Sequence, residues 1–258
     1  MMSFDLYVPR QSWLHRADPR VKLLLVVEMT SLLLLWPNLP FTIGVLVACH
    51  GLMASARVPW SRIRSLWRVV LPLTMLIVLL WLPMMPRSTP LLLQIWRIQV
   101  TLPALLRGLL MAARLDALAF LFFVWLATTE QRAIVQGMVR LGLRYDWGLT
   151  LSLALRYLPT LQATYLQVVD AQRARGLDLS EGTLLTRVRK RLPILVALLV
   201  TALRSSENVG RALEARALGI SGVRRTVLYD LDMRSADFLY LAILLLLPPA
   251  VYLIAATV

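Results

Sequence analysis

Residues 66–85 read LWRVVLPLTMLIVLLWLPMM, and Arg68 is the only charged side chain among them. A helix needs about 20 apolar residues to cross a hydrocarbon core about 30 Å thick. This stretch therefore predicts a transmembrane helix, ended by Pro83 and Pro86, which cannot continue it. Four further runs flank it. Residues 21–36 are apolar apart from Lys22, Glu28, Thr30 and Ser31, and the turn Pro37-Asn38-Leu39-Pro40 breaks them from residues 41–56, which carry Cys49 and His50. Both runs are short, which predicts a tight pair of thin or tilted helices. Residues 102–128 are long enough to cross but contain Arg107, Arg114 and Asp116. Residues 238–258 form a last apolar run despite Pro248-Pro249. The expected fold is an all-α polytopic membrane protein with about five spans.

Composition agrees. Hydrophobic residues make up 59% of the 258 and charged residues 16%, against about 45–50% and about 25% in soluble domains. Mean hydropathy is +0.69. A disordered chain is excluded and a soluble enzyme disfavoured. The single cysteine, Cys49, leaves no disulfide framework or thiolate metal site, and two histidines, His15 and His50, leave little for a metal cluster. No secretory signal peptide is expected, because the first apolar run starts near residue 21 and lacks a cleavage site.

Charge orients the spans. The chain carries 28 Lys+Arg against 14 Asp+Glu. In a membrane protein such an excess marks cytoplasmic segments rather than nucleic-acid binding. Arg10, Arg16, Arg20 and Lys22 precede the first span, and Arg57, Arg62, Arg64 and Arg68 follow the second. Residues 130–235 hold 16 of the basic and nine of the acidic residues. The 37–40 turn has no charge, and the 86–101 loop has only Arg87 and Arg97. Five spans with the N-terminus inside and the C-terminus outside the inner membrane place all three basic regions in the cytoplasm. The predicted organisation is a lead-in with four spans over 1–128, a cytoplasmic region over 129–235 and a last span over 236–258.

Within that cytoplasmic region, residues 148–169 place Leu151, Leu155, Leu158, Leu161, Tyr165 and Val169 on one helical face. Arg156, Gln162, Gln167 and Asp170 interrupt the rest. Residues 192–203 are apolar but too short to span alone, and are bracketed by Arg187, Arg189, Lys190, Arg191 and Arg204. Pro159 and Pro193 predict kinks. These are expected to be long amphipathic helices at the cytoplasmic surface; the alternative is two additional spans. The basic run suits anionic lipid headgroups.

A near-repeat closes both stretches. Residues 171–179 read AQRARGLDL and residues 212–220 read ALEARALGI. At an offset of 41, Ala171/Ala212, Ala174/Ala215, Arg175/Arg216 and Leu177/Leu218 match. Gly176 and Gly219 suit helix termination, and an Arg in a last turn suits the negative end of the helix dipole. Either copy alone needs no more than that structural account. Two equivalent Arg knobs suit a partner with two equivalent pockets.

At these residues the sequence resembles the transmembrane T component of energy-coupling factor (ECF) transporters, the EcfT/CbiQ family. The lead-in YVPRQSWLHRADPRVKLL at 7–24, LALRYLPTL at 153–161, and the paired Ala174-Arg175-Gly176 and Ala215-Arg216-Ala217 carry the match in the family's order. Ala217 departs from it, since Gly or Ser is commoner there. The resemblance implies an ABC-type importer of vitamins or transition-metal ions in which this chain is a scaffold, without catalytic residues or a cofactor. Two ABC ATPase subunits would receive the Arg motifs. A substrate-binding S component would sit on the apolar stripe of Leu151, Leu155, Leu158, Leu161 and Tyr165.

Other constellations read as structural. Asp18-Pro19 is a helix-start signal. Cys49 and His50 have no further ligands nearby, so no metal site is expected. Glu28 and Arg114 form either an interhelical pair or the marker of a water-lined path. No P-loop, GxSxG or HExxH pattern occurs, so the chain is not expected to hydrolyse ATP or act as an enzyme. Two rivals remain at this stage. An ordinary ABC permease forming its own pathway would need one coupling element, not two. A membrane-embedded lipid or isoprenoid enzyme would need clustered carboxylates, whereas Asp170, Asp178, Glu181, Glu207 and Glu214 are spread out.

Overall fold

The computed structural model describes residues 7–10, 12–82, 91–95, 98–177 and 183–218, together with Met233, Asp237 and Ala242. The expected last span at 238–258 therefore lies outside the described residues, Ala242 excepted. The elements are helices α1 (Trp13–Arg16), α2 (Pro19–Leu35), α3 (Leu39–Ser55) and α4 (Trp60–Trp81), strands β1 (Leu91–Ile95) and β2 (Ile98–Thr101), and helices α5 (Leu102–Thr128), α6 (Gln131–Arg140), α7 (Tyr145–Ala174) and α8 (Leu184–Glu214). They fall into two compact units, Met1–Leu143 with Leu231–Val258, and Arg144–Asp230.

In the first unit the turns obey local chemistry. Asp18 caps α2 by accepting the Arg20 N–H at 2.8 Å, and Pro19 starts the helix with no N–H to satisfy. Trp36, preceding Pro37, leaves the helix with φ −115° and ψ 96°. The chain re-enters α3 with Pro40 in the first turn, and the Trp36 and Phe41 rings stay 5.2 Å apart across the bend. Residues 91–101 correct the sequence reading. Where a loop was expected, β1 and β2 pair antiparallel, with Leu93 opposite Val100 and Ile95 opposite Ile98. The run is too short for a helix and rich enough in Leu, Ile and Val to extend.

Contacts fix the direction of α2–α5. Lys22, at the start of α2, donates to the Thr128 carbonyl at the end of α5. Met53, near the end of α3, and Ile63, near the start of α4, share a core with Phe123, Val124 and Ala127 near the end of α5. Trp81, at the end of α4, lies against Gly108 near the start of α5. So α2 and α4 run against α5, and α3 runs with it, in the alternation expected of successive spans. Phe120, fully buried, stacks between His50 and Trp67 with centroids 4.6 and 4.9 Å away. Such aromatic pairs contribute about 0.5–1.5 kcal/mol each. Both His50 ring nitrogens are engaged: Nε2 accepts from the Trp67 indole N–H at 3.1 Å, and Nδ1 donates to Leu46 O at 2.8 Å.

In the second unit, α7 packs on α8, and Val169 of α7 and Ile194 of α8 are buried. Both helices continue through their prolines, Pro159 and Pro193. The stretch 192–203, read as too short to span, belongs to a helix of 31 residues. Among the described residues α4, α5 and α8 are long and apolar enough to cross a membrane, and α3 is a shorter apolar helix.

Candidate functional site

The two Arg motifs form the same structure twice. At the end of α7, the Gly176 N–H bonds Arg173 O at 2.9 Å and the Leu177 N–H bonds Gln172 O at 3.0 Å. At the end of α8, the Ala217 N–H bonds Glu214 O at 2.9 Å and the Leu218 N–H bonds Leu213 O at 3.0 Å. This is the paired bonding of a Schellman turn, which satisfies carbonyls the helix end leaves open. Arg175 and Arg216 occupy the identical last station before the chain turns left-handed. Arg175, Arg216, Ala174 and Ala215 are all exposed, while Gln172, Leu177, Leu213 and Leu218 are half-buried. Each long guanidinium thus stands beside a methyl group on an open tip. Among the described residues neither Arg175 nor Arg216 enters an ion pair; the neighbouring Arg173–Asp170 contact is a solvent-screened 3.8 Å.

One terminator differs from expectation. Gly176 is left-handed, with φ 86°, as read from the sequence. In the second copy the left-handed residue is Ala217, with φ 61°; Gly219, proposed for that place, lies outside the described residues. The offset of 41 residues pairs Gly176 with Ala217 directly, and that pairing was the available signal.

The predicted apolar stripe on α7 is largely open. Leu151, Leu158 and Tyr165 are exposed, while Leu155 and Leu161 are half-buried. Among the described residues Glu28 and Arg114 do not pair: the Glu28 carboxylate oxygens and Arg114 Nε and Nη2 have no hydrogen-bond partner. Asp116 instead accepts from the Thr74 hydroxyl at 2.7 Å, joining α4 to α5.

A second feature was invisible in the linear sequence. The lead-in segment caps α5. The Val8 N–H donates to Ala127 O at 3.0 Å, and Lys22 Nζ donates to Thr128 O at 3.1 Å. Both carbonyls belong to the helix end that has no internal partner. His15 braces the segment, accepting from Ser12 Oγ at Nδ1 and donating from Nε2 to Val8 O. Burial lowers the His15 pKa, the Val8 hydrogen bond opposing and the Lys22 charge reinforcing that shift. The Asp18 N–H donates to the buried Asp237 carboxylate at 3.0 Å, tying the same turn to a residue 219 positions on.

Apolar helices alternating in direction, three of the described ones long enough to cross a bilayer, define an α-helical membrane protein that carries two equivalent Arg-tipped helix ends. The family model for CbiQ, described as a cobalt transport protein, matches residues 10–223. The energy-coupling factor transporter transmembrane protein EcfT of Bacillus selenitireducens is 31% identical over 254 residues, covering 95% of this chain and 94% of that protein. EcfT of Brevibacillus brevis is 31% identical, covering 90% and 89%, and that of Lactococcus lactis is 27% identical, covering 92% of each. The chain belongs to the CbiQ/EcfT family, the transmembrane component of ECF transporters.

Proposed function

We propose that this chain couples nucleotide-driven closure of two ABC ATPase subunits to the reorientation of a separate S component, which binds the vitamin or transition-metal ion to be imported. The observation that carries the proposal is the duplication of one helix-end structure around Arg175 and Arg216. An Arg stays charged when partly desolvated and offers a planar fork of donors. With Ala174 and Ala215 beside them, each helix end can approach a cleft closely, leaving the guanidinium as the protruding group. Two equal tips suit two equal ATPase clefts. The open stripe of Leu151, Leu158 and Tyr165 suits an apolar partner within the membrane. In this reading the chain has no catalytic centre of its own.

The test is ATPase co-purification and substrate uptake for Arg175→Ala, Arg216→Ala and the double variant. Truncating a desolvated, hydrogen-bonded Arg at an interface costs about 2 kcal/mol or more. Each single variant should weaken ATPase retention, and the double variant should come close to abolishing uptake. Lys replacements should rescue poorly. A folded double variant that retains both ATPases and transports normally would overturn the assignment. Leu158→Asp should weaken S-component capture while leaving ATPase retention intact, because a carboxylate on that face holds apolar surfaces apart.

The basic distribution supports an N-inside, C-outside topology. A membrane-impermeant thiol reagent on whole cells should label Ser88→Cys and spare Ser55→Cys, with buried Cys49 silent in both.

A further inference from the structure

A unit that transmits motion needs fixed ends. The chain leaves the first unit after Leu143 and returns to it at Leu231. A few residues before the exit, Gly137 of α6 is buried against the start of α2. A Cβ there would lie 3.4 Å from Pro19 Cβ and 3.6 Å from the Arg20 nitrogen. A few residues after the return, Asp237 is 1% exposed and accepts the Asp18 N–H at 3.0 Å. Both ends of the second unit's chain are thus held by one turn, Asp18-Pro19-Arg20. That turn is stiff. The buried Asp18 carboxylate accepts the Arg20 N–H at 2.8 Å and lies 3.8 Å from the Arg20 guanidinium. Pro19 fixes its own φ. Lys22, buried one step further on, bonds Thr128 O at the end of α5.

We propose that the Asp18-Pro19-Arg20 turn is the common anchor of the coupling unit, with Gly137 and Asp237 as its positioning residues. They hold the outgoing and the returning chain, so that displacement of the Arg tips is passed on rather than absorbed where the chain re-enters the membrane unit. The inference rests on the coupling reading and adds to it where the moving part is fastened. The contacts suit a fastening rather than a moving joint. At Gly137 the helix backbone meets the turn directly, with no long side chain between them to stretch. The amide-to-carboxylate bond at Asp237 is charge-assisted, and opening it in a buried place would strand both groups without water. Freedom lies just beyond the anchor, where α6 ends at Arg140 and the chain turns through left-handed Gly142, with φ 117°.

The experiment uses the transporter complex purified with its ATPases, in a Cys49→Ala background. Nitroxide labels go on Val27→Cys of α2 and Asn208→Cys of α8, both exposed, and their separation is measured by pulsed electron resonance with and without ATP and vanadate. The coupling reading requires a nucleotide-dependent shift; its absence in the parent would sink that reading and the anchor with it. Given the shift, Asp237→Ala should retain the ATPases, which bind at the Arg tips, yet lose most of the shift and broaden the distances. Asp237→Asn, which can still accept the Asp18 N–H, should keep it. An undiminished shift in Asp237→Ala would overturn the anchor and leave coupling standing. A second arm needs no weakened variant. In Pro19→Cys/Gly137→Cys the 3.4 Å between Cβ positions is close to the mean of about 3.8 Å across a disulfide, so the pair should oxidise. The oxidised complex should hydrolyse ATP as fast as the reduced one, because the anchor stays closed throughout the cycle. Hydrolysis lost on oxidation and restored by reductant would show that α6 leaves the turn, and would overturn the proposal.

Discussion

Ala217 stands in the closing turn of α8 where Gly176 stands in that of α7, and both are left-handed, at φ 61° and 86°. For an L-residue with a Cβ that conformation costs roughly 1–2 kcal/mol. Glycine avoids the cost. Ala217→Gly should therefore tighten its helix end and slow hydrogen exchange of the Leu218 amide, which bonds to Leu213 O. Gly176→Ala should do the reverse at Leu177. An added Cβ at 176 meets nothing within 4 Å, so the loss would be conformational rather than a clash. Unchanged protection in both variants would show that these turns are held by something other than their own backbone.

The lead-in segment should loosen in acid. His15 is held below its ordinary pKa of 6.5, so the folded chain favours the neutral ring. The stability this contributes is complete above about 6.5 and is lost as pH falls below that value through the folded pKa. Protonation removes the acceptor that receives the Ser12 hydroxyl. Exchange of the Val8 amide, corrected for intrinsic rate, should quicken between neutral pH and pH about 5, and His15→Gln should flatten that dependence. A Val8 amide equally protected across the range would contradict the bracing role.

The His50–Trp67 bond should behave as one unit. Trp67→Phe keeps an aromatic ring against Phe120 but removes the indole donor, leaving the half-buried His50 without that bond at Nε2. The expected loss is about 1–2 kcal/mol of unfolding free energy, read as a lower unfolding midpoint. His50→Phe made in that background should cost little more, since the bond is already gone. Strictly additive losses would mean that the bond carries no energy.

Gly108 sets how closely α4 and α5 approach. A Cβ there would lie 3.2 Å from Trp81 Cβ and 3.4 Å from Val78 Cα. Small residues at a helix crossing let backbones come together within a membrane. Gly108→Ala should cost about 1–3 kcal/mol by overpacking, and Gly108→Leu more, read as falling thermal midpoints. Leu109→Ala, beside it but exposed, should stay within about 0.5 kcal/mol. Equal effects at 108 and 109 would refute the close contact.

The sequence located α5 to the residue, because Pro103 falls in its first turn and Thr129-Glu130-Gln131-Arg132 ends its apolar run. It placed the start of α4 at Leu66, six residues late, because the first turns from Trp60 carry Arg62 and Arg64 and read as polar. For the same reason the basic first turns of α8 disguised its length. The pairing of β1 with β2 was missed because a few Leu, Ile and Val residues on either side of Trp96-Arg97 look like any apolar loop. At the Arg motifs the repeat gave away both tips, yet the habit of assigning left-handed backbone to glycine pointed to Gly219 instead of Ala217. Contacts such as Val8 with Ala127, and His50 with Trp67, join residues far apart in the chain. No periodicity records them, so only the fold could bring them into view.

The hydrogen bond from Asp18 to Asp237 spans 219 residues of chain. A ribosome adds about 5–20 residues per second, so Asp18 emerges roughly 10–40 s before its partner exists. During that interval four hydrophobic helices are already available for insertion while the turn that starts the first one lacks a contact of its finished state. Completion of the N-terminal turn is therefore a late event in biogenesis, and a nascent chain halted before residue 237 carries that end unfinished however well its earlier helices have entered the bilayer.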